Sequence, residues 1–259
     1  MKKLTLFKTM FVREWIELKR YPFNLLSGLI ALYLIFLVVF AGYKALGSGS
    51  PRFGNTLDGI VVGFMMWTFA ISAYSTLSWE LMNEARMGTL EQLYMTPLGF
   101  GWVCIFRVIA SFFLNLLFVL PILALMMVTT GRYLHLDLLS ITPLLALSLA
   151  GVYGIGFVMG GLALVFKQIQ AFFQIIQFVF IFLIAAPLSK LPLLFKVLPL
   201  SLGSNLIHAV MVEKESLLLL PPGDLSILLI NSAFYFLAGF WIFKLFLGIA
   251  RKRGLLGHY

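Results

Sequence analysis

Long, uninterrupted apolar runs are separated along this chain by short polar segments. A helix that crosses a bilayer needs about 20 mostly apolar residues, and six segments meet that requirement. The runs are continuous and do not alternate residue by residue, which favours helices over a membrane barrel. The six predicted spans cover residues 22–46, 58–82, 102–129, 138–166, 169–186 and 225–249.

The N-terminal segment is apolar on one side only. Its apolar residues recur every three or four positions, at Leu4, Phe7, Phe11, Trp15 and Leu18, and its opposite stripe holds Thr9, Arg13, Glu17 and Arg20. This spacing predicts that residues 1–21 form an amphipathic helix lying in the membrane interface. A loose basic leader is the alternative.

The segment between the fifth and sixth spans is proline-rich and apolar. Its apolar runs are too short to cross a bilayer, and they are separated by Pro187, Pro192, Pro199, Pro221 and Pro222. Short re-entrant or interfacial helices fit this pattern best. No linker interrupts the remainder, so residues 22–259 are predicted to form one membrane domain.

Composition indicates that lipid is the main solvent of the fold. Hydrophobic residues make up 61% of the 259 positions and charged residues 11%, whereas about a quarter of a soluble domain is charged. The sequence therefore predicts an all-α integral membrane protein.

The charge of the chain predicts its orientation. A net charge of +9 could indicate a nucleic-acid partner, but the positions of the charges fit membrane topology better. With both termini on one side, 13 of the 19 Lys and Arg residues fall on that side. The positive-inside rule then places both termini in the cytoplasm, with the protein in the cell (inner) membrane, and we expect no nucleic-acid partner.

Several kinds of chemistry have no support in the sequence. Cys104 is the only cysteine, and His135, His208 and His258 are scattered, so neither a disulfide nor a metal site is predicted. The chain has neither a G-x-S-x-G elbow nor a phosphate-binding G-x-x-x-x-G-K-[ST] loop. We therefore expect no catalytic residues and no enzyme activity.

The polar stretch 83–97, between the second and third spans, is rich in structural signals. Gly88 can end the preceding helix, and Thr89 with Gln92 has the spacing of a capping box. Pro97 would stop the element. The stretch predicts a short surface helix that could serve as a knob for a partner protein, with an ordinary turn between spans as the alternative.

The same stretch resembles the intracellular signature of the ABC type-2 exporter permeases. Glu84, Gly88-Thr89-Leu90-Glu91, Leu93 and Thr96-Pro97 match that family's approximate pattern, Glu-x-x-x-Gly-Thr-Leu-Glu-x-Leu-x-x-Thr-Pro. Arg13-Glu14, Arg20 and Pro22 are similar to the family's start, where a connecting helix precedes the first span. The number of spans and the chain length also agree with the family.

This resemblance implies a coupling helix seated in a groove of a separate cytoplasmic ATPase. The expected assembly has two ATPase copies, which bind ATP and magnesium, and two permease copies, as a homodimer; this chain itself would hold no cofactor. The residues implied at the ATPase interface are Arg13, Glu84, Gly88, Thr89, Leu90, Glu91, Leu93 and Tyr94.

Two polar or small-residue patterns lie within the spans. Gln170, Gln174 and Gln177 share one face of the fifth span, beside Phe173, and amides facing lipid are costly. These glutamines predict either a translocation path for an amphiphile or a surface that joins helices through hydrogen bonds. In a dimer the same residues could do both, because the path would run between the two copies. Gly156 and Gly160 in the fourth span predict close helix packing, with a flexing point as the alternative.

The function expected from the sequence is export of an amphiphilic small molecule or lipid. A polysaccharide or glycolipid exporter is the second possibility within the family. A secondary carrier or channel fits less well, because the sequence shows no ionisable residue clearly at the bilayer midplane. A membrane-embedded enzyme is the remotest alternative.

Overall fold

The computed structural model describes residues 2–46, 57–166, 169–185 and 196–254, and these are helical with no strand among them. The prediction of an all-α membrane protein is confirmed. The helices are α1 (Lys2–Arg20), α2 (Pro22–Leu46), α3 (Leu57–Arg86), α4 (Leu90–Tyr94), α5 (Phe100–Thr130), α6 (Leu138–Phe166), α7 (Gln170–Ala185), α8 (Ser201–Val212) and α9 (Pro222–Lys252).

Five helices in the described ranges are long and apolar enough to cross a membrane: α2, α3, α5, α6 and α9. The predicted fifth span corresponds to α7, which has 16 residues. At 1.5 Å per residue that is about 24 Å, short of a hydrocarbon core of about 30 Å. Five candidate spans are thus present, and a crossing by α7 stays a prediction.

The first helix lies against the start of α5. The Phe7 ring is 6.0 Å from the Phe106 ring, the Lys3 ammonium lies 4.0 Å from the Trp102 ring centroid, and Met10 is buried. Pro22 then begins α2, where its missing N–H costs nothing. The amphipathic helix therefore packs beside the beginning of a span, at what we term the α1 end of the bundle.

The third helix is the centre of the fold. In the most apolar 18-residue stretch of α3, 78% of the residues are buried, whereas the corresponding share in α2 is 6%. It packs against α5, α6, α7 and α8, while α9 lies against α6. Residues of α3 are therefore placed to contact most of the other helices, and α2 remains largely exposed.

Glycines allow α6 to approach its neighbours closely. A Cβ at Gly154 would collide with the Tyr235 carbonyl of α9, and one at Gly239 with the Gly154 carbonyl. A Cβ at Gly156 would lie 3.1 Å from the Tyr74 backbone, and one at Gly160 would lie 3.2 Å from the Leu81 side chain. The structure thus places Gly156 and Gly160 against α3, while the closest backbone approach among the α6 glycines is at Gly154, opposite α9.

The connection before the last span contains the short apolar helix α8. Its 12 residues would reach about 18 Å, too short to cross. The backbone N–H of His135 donates to the Met211 carbonyl at 2.9 Å, which ties the α5–α6 loop to this helix. Pro187 and Pro192 lie outside the described residues, and whether α8 is re-entrant or interfacial stays a prediction.

Two glycines of α9 provide a matched test of the close approach to α6. Gly239→Ala introduces a methyl group against the Gly154 backbone, whereas Gly248→Ala meets nothing within 4 Å. We expect G239A to lower the unfolding free energy by about 1–3 kcal/mol. G248A is expected to be neutral or to stabilise by about 0.5–1 kcal/mol. Denaturant unfolding in detergent measures both, and equal effects would contradict this packing.

Candidate functional site

The turn after α3 positions the short helix α4. Gly88 has φ of 71° and ends the run of α3, as the sequence predicts. The Thr89 N–H then donates to the Glu84 carbonyl at 3.0 Å, and the Thr89 hydroxyl donates to the same carbonyl at 3.3 Å. The beginning of α4 is therefore hydrogen-bonded directly to the backbone of the last turns of α3.

The predicted capping box between Thr89 and Gln92 is wrong. Thr89 does occupy the N-cap position of α4, but its side chain makes no capping hydrogen bond. The hydroxyl instead turns back to the Glu84 carbonyl. In a capping box the Thr oxygen would accept a hydrogen bond from a backbone N–H of the helix, which requires an extended backbone at the N-cap. Thr89 instead has φ of −90° and ψ of −11°, in the αR region.

The short helix α4 has a docked face and a free face. Leu90 is buried, Leu93 and Tyr94 are half-buried, and the Tyr94 ring lies 6.0 Å from the ring of Phe100 at the start of α5. Glu91, Gln92 and Met95 are exposed. Apolar contacts thus seat α4 on the α1 end of the bundle, and its polar face is open to a partner.

Beneath α4 lies a buried cluster of charged side chains drawn from three helices. The Oε1 atom of Glu84 in α3 is 2.7 Å from Nη2 of Arg13 in α1 and 2.5 Å from Nη2 of Arg107 in α5. The Nε atom of Arg107 is 2.8 Å from Oε2 of Glu80. We call Arg13, Glu80, Glu84 and Arg107 the charge cluster.

The buried charges of this cluster need oppositely charged partners. The side chain of Arg107 is 1% exposed and that of Glu84 is 4% exposed. An uncompensated ion in such surroundings costs several kcal/mol, so each of these charges depends on its partners. Because the partners belong to α1, α3 and α5, the cluster fixes these three helices relative to one another at the α1 end.

Glu14 extends the cluster along α1. Burial holds the pKa of its carboxyl above the usual value, although the nearby Arg107 guanidinium opposes this shift. Glu14 and Glu80 of α3 line the same cavity between α1 and α3.

The glutamines predicted to form a polar stripe line a groove in part. Gln174 and Gln177 of α7 border a cavity of about 330 Å³ together with Tyr74, Ser75 and Trp79 of α3. Gln170 begins α7, and its side chain lies outside the described part of the chain. The structure therefore brings two of the three amides to one groove.

Phe173 joins α7 to α3 beside this groove. Its side chain is buried and stacks on Trp79, with ring centroids 5.6 Å apart and an interplanar angle of 17°. Its carbonyl accepts a hydrogen bond from the Tyr74 hydroxyl at 2.8 Å. Phe173 thus serves as a packing contact that holds the groove wall in place.

Sequence reasoning missed the charge cluster although signals for it were present. Glu80 and Glu84 are spaced i, i+4 on one face of α3, and Arg107 interrupts an otherwise apolar run. Each pattern indicates a buried charge that needs a partner. Because these residues lie in two different predicted segments of the chain, neither pattern by itself shows that they pair with each other.

Within the described residues, no group of three or more His, Cys, Asp and Glu side chains could hold a metal ion.

No protein-family model and no curated protein matches this sequence. The function is therefore inferred from the geometry at the α1 end and from the motif around Glu84.

Replacing Arg107 tests the energetic weight of the charge cluster. Arg107→Met leaves Glu80 and Glu84 buried without their shared cation, so we expect the unfolding free energy to fall by about 3–5 kcal/mol. Denaturant titration of the full chain in detergent, followed by circular dichroism, measures the change.

Arg132→Met is the matched control. Arg132 is 48% exposed and its Nε lies 3.7 Å from Oδ1 of Asp58. An exposed pair of this kind contributes about 0–1 kcal/mol. If R107M destabilised the chain no more than R132M, the cluster would not be an essential link between the helices.

Proposed function

We propose that this chain is the membrane-spanning subunit of an ATP-driven exporter whose ATPase is a separate polypeptide. In this arrangement α4 is the coupling helix and α1 is the connecting helix beside it. The observation that carries the proposal is the linkage from α4 through Glu84 to Arg13 and Arg107. A displacement of α4 is transmitted through this linkage to α1, α3 and α5.

The surface of α4 supports a protein partner. Its apolar side is already occupied by the bundle, and its exposed residues include Glu91, Gln92 and Met95. A helix of five residues has little stability in isolation, so its firm seating on the bundle suits a rigid contact. The resemblance of residues 84–97 to the permease signature agrees with the same role.

The proposed topology has six spans with both termini in the cytoplasm. In it α7, with the 16 helical residues described, is the fifth span. The charge bias of the chain supports this orientation. The α1 end, with α4 and the charge cluster, then faces the cytoplasm, where ATP is available to a partner.

The depth of the charge cluster favours this role over ion-coupled transport. Glu80 lies six residues before the end of α3 and Arg107 seven residues after the start of α5. At 1.5 Å per residue both are about 10 Å from the helix ends. Ion-coupled carriers typically bind their ions near the midplane, about 22 Å from the end of such a helix.

The cargo we propose is an amphiphilic small molecule or lipid that passes along the groove at Gln174 and Gln177. In a homodimer the path would run between the two copies, where these amides meet aromatic walls. A polysaccharide or glycolipid is the second candidate within the same architecture.

The coupling role predicts a specific defect in Glu91→Arg. Because Glu91 is exposed on α4, the variant should fold normally. In the complex with the co-purified ATPase it should lose substrate-stimulated ATP hydrolysis by about tenfold or more, as for a central interface residue. Glu215→Arg, with the same charge change in the segment between α8 and α9, should hydrolyse ATP normally.

Two results would oppose the exporter proposal. One is stimulated hydrolysis by E91R at the wild-type rate. The other is transport by the purified chain alone, in vesicles, driven by an ion gradient without ATP. The second result would reassign the chain to the secondary carriers.

The groove predicts a change of cargo preference in Gln174→Leu. Replacing the amide by an alkyl group removes hydrogen-bonding capacity from the groove wall and should shift transport toward less polar cargo. Ile175→Leu is the control, since Ile175 is exposed and does not line this groove. An unchanged transport profile together with a weakened dimer would instead assign Gln174 to helix adhesion.

A further inference from the structure

A second cavity lies between the groove and the cytoplasmic end of the proposed topology. It measures about 360 Å³ and lies between α1, the start of α2 and α3. Ser75 and Trp79 line both this cavity and the groove beside Gln174. The two cavities therefore follow one face of α3, and we call the pair the α3 cleft.

The walls of the α3 cleft differ in character along its length. Near the α1 end its lining includes the carboxyl groups of Glu14, Glu17 and Glu80 and no Lys or Arg. Toward the middle of the bundle the lining is aromatic and amide, with Tyr74, Trp79 and Gln177. The cleft thus has an acidic end and a largely uncharged end.

The acidic end has an excess of negative charge even after pairing. Four carboxyl groups lie near the cleft, those of Glu14, Glu17, Glu80 and Glu84, against the guanidiniums of Arg13, Arg20 and Arg107. Arg13 and Arg20 line an adjoining cavity of about 580 Å³ that shares Glu17, Tyr21, Glu80 and Asn83 with the cleft. The wall of the cleft itself therefore presents carboxyl groups, and the two arginines of α1 border the adjoining cavity.

Two further features of this cavity suit a cationic ligand. Tyr21 and Trp79 contribute aromatic rings to its wall, and the face of such a ring attracts an ammonium group within about 6 Å. Asn24 and Asn83 add amide oxygens that can accept hydrogen bonds. Aromatic rings beside carboxylates form a common environment for amines and quaternary ammonium groups.

The depth of the two ends matches an amphiphile resting in a bilayer. Glu80 lies about 9 Å from the end of α3, and Ile71, at the far end of the groove, lies about 22 Å from it. A membrane-bound amphiphile holds its charge near the surface and its tail in the hydrocarbon. A ligand entering sideways from the bilayer would therefore already have the orientation that the cleft requires.

We propose that the α3 cleft binds a single-chain cationic amphiphile, with its ammonium group at Glu14, Glu17 and Glu80 and its tail along Trp79 toward Gln177. The groove volume, at the lower end of the 300–1,000 Å³ range of small-molecule sites, suits one chain. This assignment specifies that the cargo of the proposed exporter carries a positive charge, and so it rests on that function. The test of cation binding needs no ATPase, so the cleft assignment and the exporter proposal can fail separately.

The probe is a dodecyltrimethylammonium ion with a bromine on its alkyl chain close to the ammonium group, where the proposal places Trp79, and it is added to the full-length protein in nanodiscs. Bromine quenches nearby tryptophan emission, and comparison with Trp79→Phe isolates the signal of Trp79. We expect saturable quenching that is lost in W79F. A dodecyl sulfate brominated at the same position should quench the Trp79 emission at least tenfold less, compared at an equal fraction of the two probes taken up by the nanodiscs.

Two variants locate the cationic group. The double variant Glu14→Gln/Glu17→Gln should weaken binding of the cation by about three- to tenfold. Glu213→Gln/Glu215→Gln, which removes two carboxyl groups outside the cleft, should bind as the wild type. Circular dichroism checks separately that each variant is folded.

Three outcomes would overturn the proposal. They are equal quenching by the cation and the sulfate, unchanged affinity in E14Q/E17Q with its fold intact, and quenching that rises linearly without saturation, as for simple partition into lipid. Didodecyldimethylammonium, with two chains, should compete weakly; competition stronger than that of the single-chain ion would assign the cleft to a two-chain lipid instead.

Discussion

The bundle depends at one end on the pairing of Arg107 with Glu80 and Glu84. Burying a guanidinium costs several kcal/mol unless carboxylates surround it, and here those carboxylates come from the neighbouring helix α3. The same Glu84 also receives Arg13 from α1. The amphipathic helix α1 is thereby attached to α3 and α5, two of the candidate spans.

The other contacts between spans are of a different kind. Where α6 meets α9 at Gly154 and Gly239, the backbones approach without any side chain between them. In lipid the hydrophobic effect gives little attraction between apolar helices, so close packing and polar contacts must hold them. Glycine packing fixes α6 against α9, whereas charge pairing fixes α1, α3 and α5 relative to one another. Of these two contacts, only the charge pairing lies beneath α4.

The sequence predicts much of the architecture and less of the site. Long apolar runs locate α2, α3, α5, α6 and α9, and the spacing of Leu4 to Leu18 indicates the amphipathic α1. The capping role of Thr89 was wrong because its backbone is in the αR region and not extended, and its hydroxyl donates to the Glu84 carbonyl without accepting from an N–H of α4. The pairing of Arg107 joins residues 23 and 27 positions apart, which helical periodicity within one segment cannot indicate.

In the proposed exporter, the positions of the charge cluster and the α3 cleft would relate cargo binding to coupling. Glu80 is shared by both, since one of its oxygens lies 2.8 Å from Arg107 while the residue lines the cleft. A cation bound beside Glu80 would compete with Arg107 for its negative charge. Any weakening of that pair loosens α5 from α3 directly beneath α4, and linkage requires that a change in α4 should alter cation binding in return. A transporter in which cargo stimulates ATP hydrolysis needs such a reciprocal connection, and one carboxylate common to both sites is the shortest physical form it can take.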